Sequence, residues 1–243
     1  LDLTTGKLSP PQARHQHPIW RFCFSPDGRL VATGDSSGLI CIWNRQGMQL
    51  AELRHVSGDA VSALAIAPDG ETLASANVAG TIFLWSLADQ SALRRLQGHE
   101  DEVATLVFLD NGRLLASGSH DLTVGLWEVA TGELRQRLRG HTRPVRKSEA
   151  ATTGQWLVTG GGDHFFYVWD WQRGAPQHLL ADHASPLDHL IISPDGKQAA
   201  TQDLNTVVSH WDLTQGRRIE YCALYYNAIM SICFSPDGKT LIS

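Results

Sequence analysis

The chain has 243 residues, 42% of them hydrophobic and 19% charged, and a formal net charge of −5. That length can bury a large core, and the mildly acidic balance argues against a dedicated DNA or RNA binder, which carries a basic excess. No apolar stretch approaches the roughly 20 residues of a membrane span, and the opening LDLTTGKLSPP lacks the basic-then-apolar pattern of a secretory signal.

In chain order, apolar runs close on Trp43, Trp85, Trp127, Trp169 and Trp211, each 42 residues after the last. Turn glycines keep the same step at Gly28, Gly70, Gly112, Gly154, Gly196 and Gly238, in the turns SPDG, APDG, LDNG, ATTG, SPDG and SPDG. Two independent markers in one register identify an internal repeat. Residues 102–128 show its content: an apolar run with Val103, Leu106 and Phe108, a Gly turn, then Leu114, Leu115 and Ala116, a polar turn, and Val124, Leu126 and Trp127. The segment ELRQRLRGH follows. Short apolar runs between turn clusters read as strands, and none is long enough to show helical periodicity. The fold class is all-β, and four short strands per 42 residues is the content of one β-propeller blade.

The phrase GHEDEVATLVF…LASGSHDLTVGLWEVATGEL closely resembles the WD repeat, with Gly98-His99, Asp121 and Trp127 where that family places its markers. The resemblance recurs in register over the whole chain. The regular units with SPDG turns also resemble the WD arrays of large multidomain bacterial proteins. It implies a propeller of four-stranded antiparallel blades with strand a nearest the axis, and a hydrogen-bonded tetrad of His, Ser or Thr, Asp and Trp. Such a tetrad makes physical sense, because a buried Asp carboxylate in a tight turn must be hydrogen-bonded. Carried over by position, the structural tetrads are His99, Ser117, Asp121 and Trp127, then His141, Thr159, Asp163 and Trp169. The next blade offers His183, Thr201 and Trp211 with Asn205 in the Asp slot. Ser37 and Ala79 fill that slot in the two earlier blades, which are therefore expected to lean on packing alone. One strand a departs from the rest: it reads VRKSEA, with Ser148 where the others carry an apolar residue.

Register also predicts the organisation. Residues 1–16 read as strand d of a partial blade, 17–58, 59–100, 101–142, 143–184 and 185–226 as full repeats, and 227–243 as strands a and b of another partial blade. The expectation is a single incomplete propeller of five full blades and two partial ones, cut from a parent of six or seven.

Candidate chemistry is sparse. No GxxxxGK[ST], GxSxG or HExxH motif occurs, so no catalytic residue, cofactor or metal is expected. The pair His15 and His17 is a weak metal signal, and Glu100-Asp101-Glu102 reads as a solvated loop. Cys23, Cys41 and Cys233 sit in apolar strand patterns and read as buried thiols, and with Cys222 they match no zinc or redox spacing. They point to a reducing, cytoplasmic setting. Residues 133–147 carry Arg135, Arg137, Arg139, Arg143, Arg146 and Lys147, which read either as charges guarding an outer edge strand or as a site for RNA or another anion.

The functional expectation is a non-enzymatic scaffold that binds other proteins or peptides, with neither membrane nor nucleic acid as partner; the alternative is a propeller-based enzyme or an anion binder. The resemblance implies that the residue after the first apolar position of strand a faces the central opening. These residues are Trp20, Ser62, Ala104, Arg146, Asp188 and Met230. The expected partner-binding face carries Trp20, Glu102, His120, Arg146, Asp188, Leu204 and Met230. Trp20 reads as a hot spot or as a plug packed on Pro18 and Met230.

Overall fold

The computed structural model describes residues 15–150, 156–181, 183–223 and 231–243. They form a succession of antiparallel sheets, each a simple meander in sequence order. The first blade holds β1 (Ile19–Phe24), β2 (Leu30–Asp35), β3 (Leu39–Asn44) and β4 (Gln49–Arg54). The second holds β5 (Val61–Ile66), β6 (Thr72–Asn77), β7 (Ile82–Ser86) and β8 (Ser91–Leu96). The third holds β9 (Val103–Leu109), β10 (Leu114–Ser119), β11 (Thr123–Glu128) and β12 (Leu134–Arg139). The fourth holds β13 (Val145–Ala150), β14 (Leu157–Gly161), β15 (Phe165–Asp170) and β16 (Ala175–Ala181). The fifth holds β17 (Leu187–Ile192), β18 (Gln198–Asp203), β19 (Val207–Asp212) and β20 (Arg217–Ala223), and β21 (Cys233–Phe234) pairs with β22 (Leu241–Ile242) in a two-stranded sheet. The expected strand d over 1–16 falls outside the described residues except for its last two positions, as do Gly154 and Met230.

The sheets stack face to face through their first strands, β1 on β5, β5 on β9, β9 on β13, β13 on β17 and β17 on β21. This is the blade arrangement of a β-propeller, with strand a innermost. Both faces of each inner sheet are therefore covered, and the sequence shows it: β10 is buried at every position, while β8 is exposed at all but Leu96. The core lies in the seams. Between the second and third blades, Ala74, Ile82, Leu84 and Leu96 meet Leu106, Phe108, Leu115 and Trp127; between the third and fourth, Ala116, Val124 and Leu138 meet Val145, Leu157 and Trp169. Close approach is set at Gly118, where a Cβ would stand 2.7 Å from both Thr105 Cγ2 and Val145 Cγ1. Any side chain there would push the next blade away.

The Asp of the SPDG turn has a defined task. Ser25 Oγ donates to Asp27 at 2.6 Å, the Arg29 amide donates to the same carboxylate, and Gly28 closes the turn at φ 63°. Ser193–Asp195 and Ser235–Asp237 repeat the bond at 2.6 Å.

One expectation about an individual residue needs correction, and one departure from the pattern finds its reason. Cys41 is buried, and burial pushes the Cys23 thiol up to about 12, but Cys233 is exposed. Its two-stranded sheet packs against the fifth blade through β17. The Cys222 side chain lies outside the described residues. Ser148, the polar residue in an apolar slot, is buried and shares a 2.8 Å hydrogen bond with Thr105 across the seam.

Candidate interaction face

Each blade is locked by a polar chain. In the third, Trp127 Nε1 donates to Ser117 Oγ at 2.7 Å, Ser117 Oγ lies 2.7 Å from His99 Nε2, and His99 Nδ1 lies 2.7 Å from Asp121 Oδ2. The indole can only donate, so the hydroxyl proton points to His Nε2 and the ring proton sits on Nδ1 facing the carboxylate. Burial pushes the Asp121 carboxyl up, but the bonds from Thr123 and His99 outweigh it and hold it at about 2. In the fourth blade, Trp169, Thr159, His141 and Asp163 repeat the chain, each step at 2.8 Å.

The first blade does not lean on packing alone, which corrects the expectation drawn from Ser37. His15 lies 2.8 Å from both Asp35 Oδ2 and Thr33 Oγ1, and Trp43 donates to Thr33 at 2.7 Å. The carboxylate comes from the end of β2, two residues before the expected slot, and Ser37 donates to it at 2.7 Å. His15 is thus a network residue rather than half of a metal pair. The fifth blade also uses the earlier position: His183 Nδ1 stands 3.8 Å from Asp203 Oδ2, and the Asn205 amide donates to Asp203. In the second blade His55 and Trp85 each lie 2.8 Å from Ser75 Oγ, with Asn77 where Asp35 and Asp203 stand, so this blade too is polar-locked despite Ala79.

These chains anchor the loop before strand a to the turn between strands b and c. A backbone bond repeats the anchor in all five blades: Ser36 to Pro18, Val78 to Ala60, His120 to Glu102, Gly162 to Pro144 and Leu204 to Pro186, at 2.8–3.3 Å. Strand a then bulges at one fixed register. Trp20, Ser62, Ala104, Arg146 and Asp188 are the unpaired residues of β1, β5, β9, β13 and β17. A bulge re-aims its side chain out of the ladder, so one backbone device presents five different side chains.

Of the expected face residues, Trp20 is 47% exposed and Leu204 59% exposed. Arg146 is exposed, and Asp188 is half-buried beside His189, 3.4 Å away. Glu102 and His120 stand 3.7 Å apart, joined by the backbone bond just described. Ser62 is buried and donates to Val103 O at 2.6 Å. Arg21 of the first blade, Arg146 and Asp188 all bear on Lys147, whose ammonium is pushed down chiefly by burial. The inner ends of the first, fourth and fifth blades thus form one electrostatic neighbourhood.

Sequence reading missed several residues. Arg137 is not a free surface cation: its guanidinium donates to Thr123 Oγ1 at 2.9 Å, to Asp121 Oδ2 at 3.3 Å and to the Gly98 carbonyl. That splits the basic stretch expected as an anion site. Glu149 sits in the seam slot that holds Cys23, Ala65, Val107 and Ile191 in other blades, and burial pushes its carboxyl up to about 7.

The family model for the WD domain, G-beta repeat, matches residues 9–44, 47–86, 90–128 and 132–170. The chain belongs to the WD40 family. No curated protein matches it. Each WD40 match ends one residue after a repeat tryptophan, and the polar lock and the bulge continue into the fifth blade beyond the last match. WD40 repeats are generally protein-interaction scaffolds and typically not enzymes. Among the described residues no three His, Cys, Asp or Glu side chains are grouped to hold a metal ion, and no helix is long and apolar enough to cross a membrane.

Proposed function

We propose that this WD40 chain is a protein-binding scaffold whose partner docks where the strand-a bulges meet the b–c turns. The observation that carries this reading is the repeated bulge. Five near-identical backbones hold five unlike side chains at one register, which is how a rigid frame carries variable recognition. Trp20 anchors the partner: a half-exposed Trp that the repeat does not require has the character of an interface hot spot. Its exposure of 47% weighs against the plug reading, and Met230 lies outside the described residues. Arg146 orients an acidic group of the partner, with Asp188, His120, Glu102 and Leu204 at the rim.

The test is capture from lysate by wild-type, Trp20→Ala and Arg146→Ala proteins, each also melted. Loss of the same captured band in both variants, with melting temperatures nearly unchanged, supports the surface. Unchanged capture, or a Trp20→Ala stability loss of about 3–5 kcal/mol as in core truncations, sinks it.

A further inference from the structure

The bulge of β13 sets two cations side by side. Arg146 is its unpaired residue, and Lys147 re-enters the ladder opposite Gly160. A Cβ on Gly160 would stand 2.6 Å from Leu187 Cδ1. Paired residues share a face of the sheet, so Lys147 looks toward the inner end of the fifth blade, where Asp188 follows Leu187. The repeat asks for neither charge: the same two positions hold Ser62 and Ala63 in the second blade and Ala104 and Thr105 in the third. The side chains of Arg146 and Lys147 have no hydrogen bond or ion pair among the described residues.

The first blade adds a third cation at the register of Lys147. Arg21 donates from Nε to Ser62 O at 2.7 Å and from Nη1 to Trp20 O at 2.9 Å. Both acceptors are neutral carbonyls of bulge residues, so the guanidinium is held in place with its charge uncompensated. The three positive groups feel one another across the central opening. Burial pushes the Lys147 ammonium down, Asp188 opposes it, Arg21 and Arg146 reinforce it, and Glu149 opposes it.

The negative groups at hand do not balance these cations. Asp188 stands 3.4 Å from His189 Nδ1. Burial pushes the Glu149 carboxyl up to about 7, so it carries only about half a charge near neutral pH. The chain as a whole is acidic, at −5, so the positive excess is local. Such an excess draws anions, and fixed guanidinium and ammonium donors give an oxyanion charge-assisted hydrogen bonds.

We propose that the mouth between the inner ends of the first, fourth and fifth blades is an oxyanion site, where Arg21, Arg146 and Lys147 together hold a side-chain carboxylate of an acidic peptide partner. The proposal rests on the docking reading above for where the partner sits, and adds the chemistry that the partner must carry there.

The test uses the lysines as reporters. Lys147 is one of four in the chain, and reductive methylation with a carbon-13 label keeps their charge. The labelled protein is titrated with N-acetyl-Glu-Glu amide, with N-acetyl-Gln-Gln amide as the neutral control. The expected result is a saturable NMR shift of the Lys147 methyl signal, assigned by its loss in Lys147→Arg, and binding at least about tenfold weaker with the neutral dipeptide. Arg146→Gln and Arg21→Gln should each weaken binding of the acidic dipeptide about fivefold or more. Arg135→Gln, on the outer strand β12, should leave it unchanged. Arg146 has no bond to lose, so its variant keeps the fold even where Arg21→Gln, which strands two carbonyls, costs stability. Equal binding of the two dipeptides, a loss in Arg135→Gln as large as in Arg146→Gln, or undiminished binding by Arg146→Gln or by a folded Arg21→Gln overturns the proposal. The probe needs no partner. If the titration fails while Trp20→Ala still abolishes lysate capture, the oxyanion site falls alone; if it succeeds while capture is unchanged, only the docking reading falls.

Discussion

Arg137, on the outer strand β12, reaches across the blade to Asp121 Oδ2 at 3.3 Å, over a neighbour, Gly125, that has no side chain to block it. A Cβ on Gly125 would stand 2.7 Å from Trp127 Nε1 and 3.1 Å from His99 Nε2. The glycine therefore clears the tetrad and the guanidinium's path at once. Asp121→Ala should cost about 1–3 kcal/mol by stranding buried donors, and Arg137→Ala less, since its head group is 20% exposed. Urea melts of both variants check this; a larger loss for Arg137→Ala would mean its stem packing outweighs its charge.

Asp35→Ala should be as damaging as Asp121→Ala, about 1–3 kcal/mol, because Asp35 receives His15, Ser37 and the Leu39 amide. An effect within about 0.5 kcal/mol, ordinary for a surface change, would show that the first-blade lock contributes little.

Acid should loosen the blades in two steps. Burial holds the His99 and His55 imidazoles below their usual value of 6.5. The unfolded chain then binds protons first, so stability falls as pH drops below about 6.5. Asp121 titrates later: its folded value of about 2 lies below the free value of 3.8, so its contribution is complete above pH 3.8 and fades toward pH 2. Stability of wild type and Asp121→Asn across pH 2–7 should differ least at the acid end. A difference that does not change over that range counts against the assignment.

Glu149 has the opposite sign. Its folded value of about 7 exceeds the usual 4.5, so the folded state holds the proton more tightly, and the ionised form is penalised as pH rises through that window. Glu149→Gln should match wild type near pH 4 and be more stable by about 1–3 kcal/mol at pH 8. No gain at pH 8 would mean the carboxylate is well solvated.

Gly118→Ala should destabilise by about 1–3 kcal/mol through overpacking against Val145 and Thr105. Val145→Ala in the same chain should recover part of the loss. Strict additivity of the two changes would show that the contact is not the cause.

The repeat was legible because its markers are demanding: the turn glycines among the described residues, Gly28, Gly70, Gly112, Gly196 and Gly238, sit at positive φ and the tryptophans donate to a fixed hydroxyl. The locks were less so. His15 stands in register with His99 and could have been found by counting back two repeats. His55 stands two residues before that register, in a loop with its own path. Asp35 and Asp203 were missed because the carboxylate has two workable origins, the last residue of strand b or the following turn, and the pattern names only the second. Arg137 was hidden because its role depends on a neighbour across the sheet, which linear spacing does not reveal. The bulge register was readable, since an apolar residue precedes it in each strand, Ile19, Val61, Val103, Val145 and Leu187; the exposure of Trp20 and Leu204 was not, being a property of what packs beside them.

Every polar chain from tryptophan to histidine closes inside one blade, and none crosses a seam. A blade is therefore an exchangeable cassette. Copying or excising one 42-residue unit cuts no tryptophan-to-histidine lock; it asks that two largely apolar faces find each other and that the few bonds across the seam, such as Ser148 to Thr105 and Ser62 to the Val103 carbonyl, form again. A gene that grows by duplication can lengthen such an array in whole steps, and each new copy arrives with its own latch and a fresh, unassigned position at the bulge.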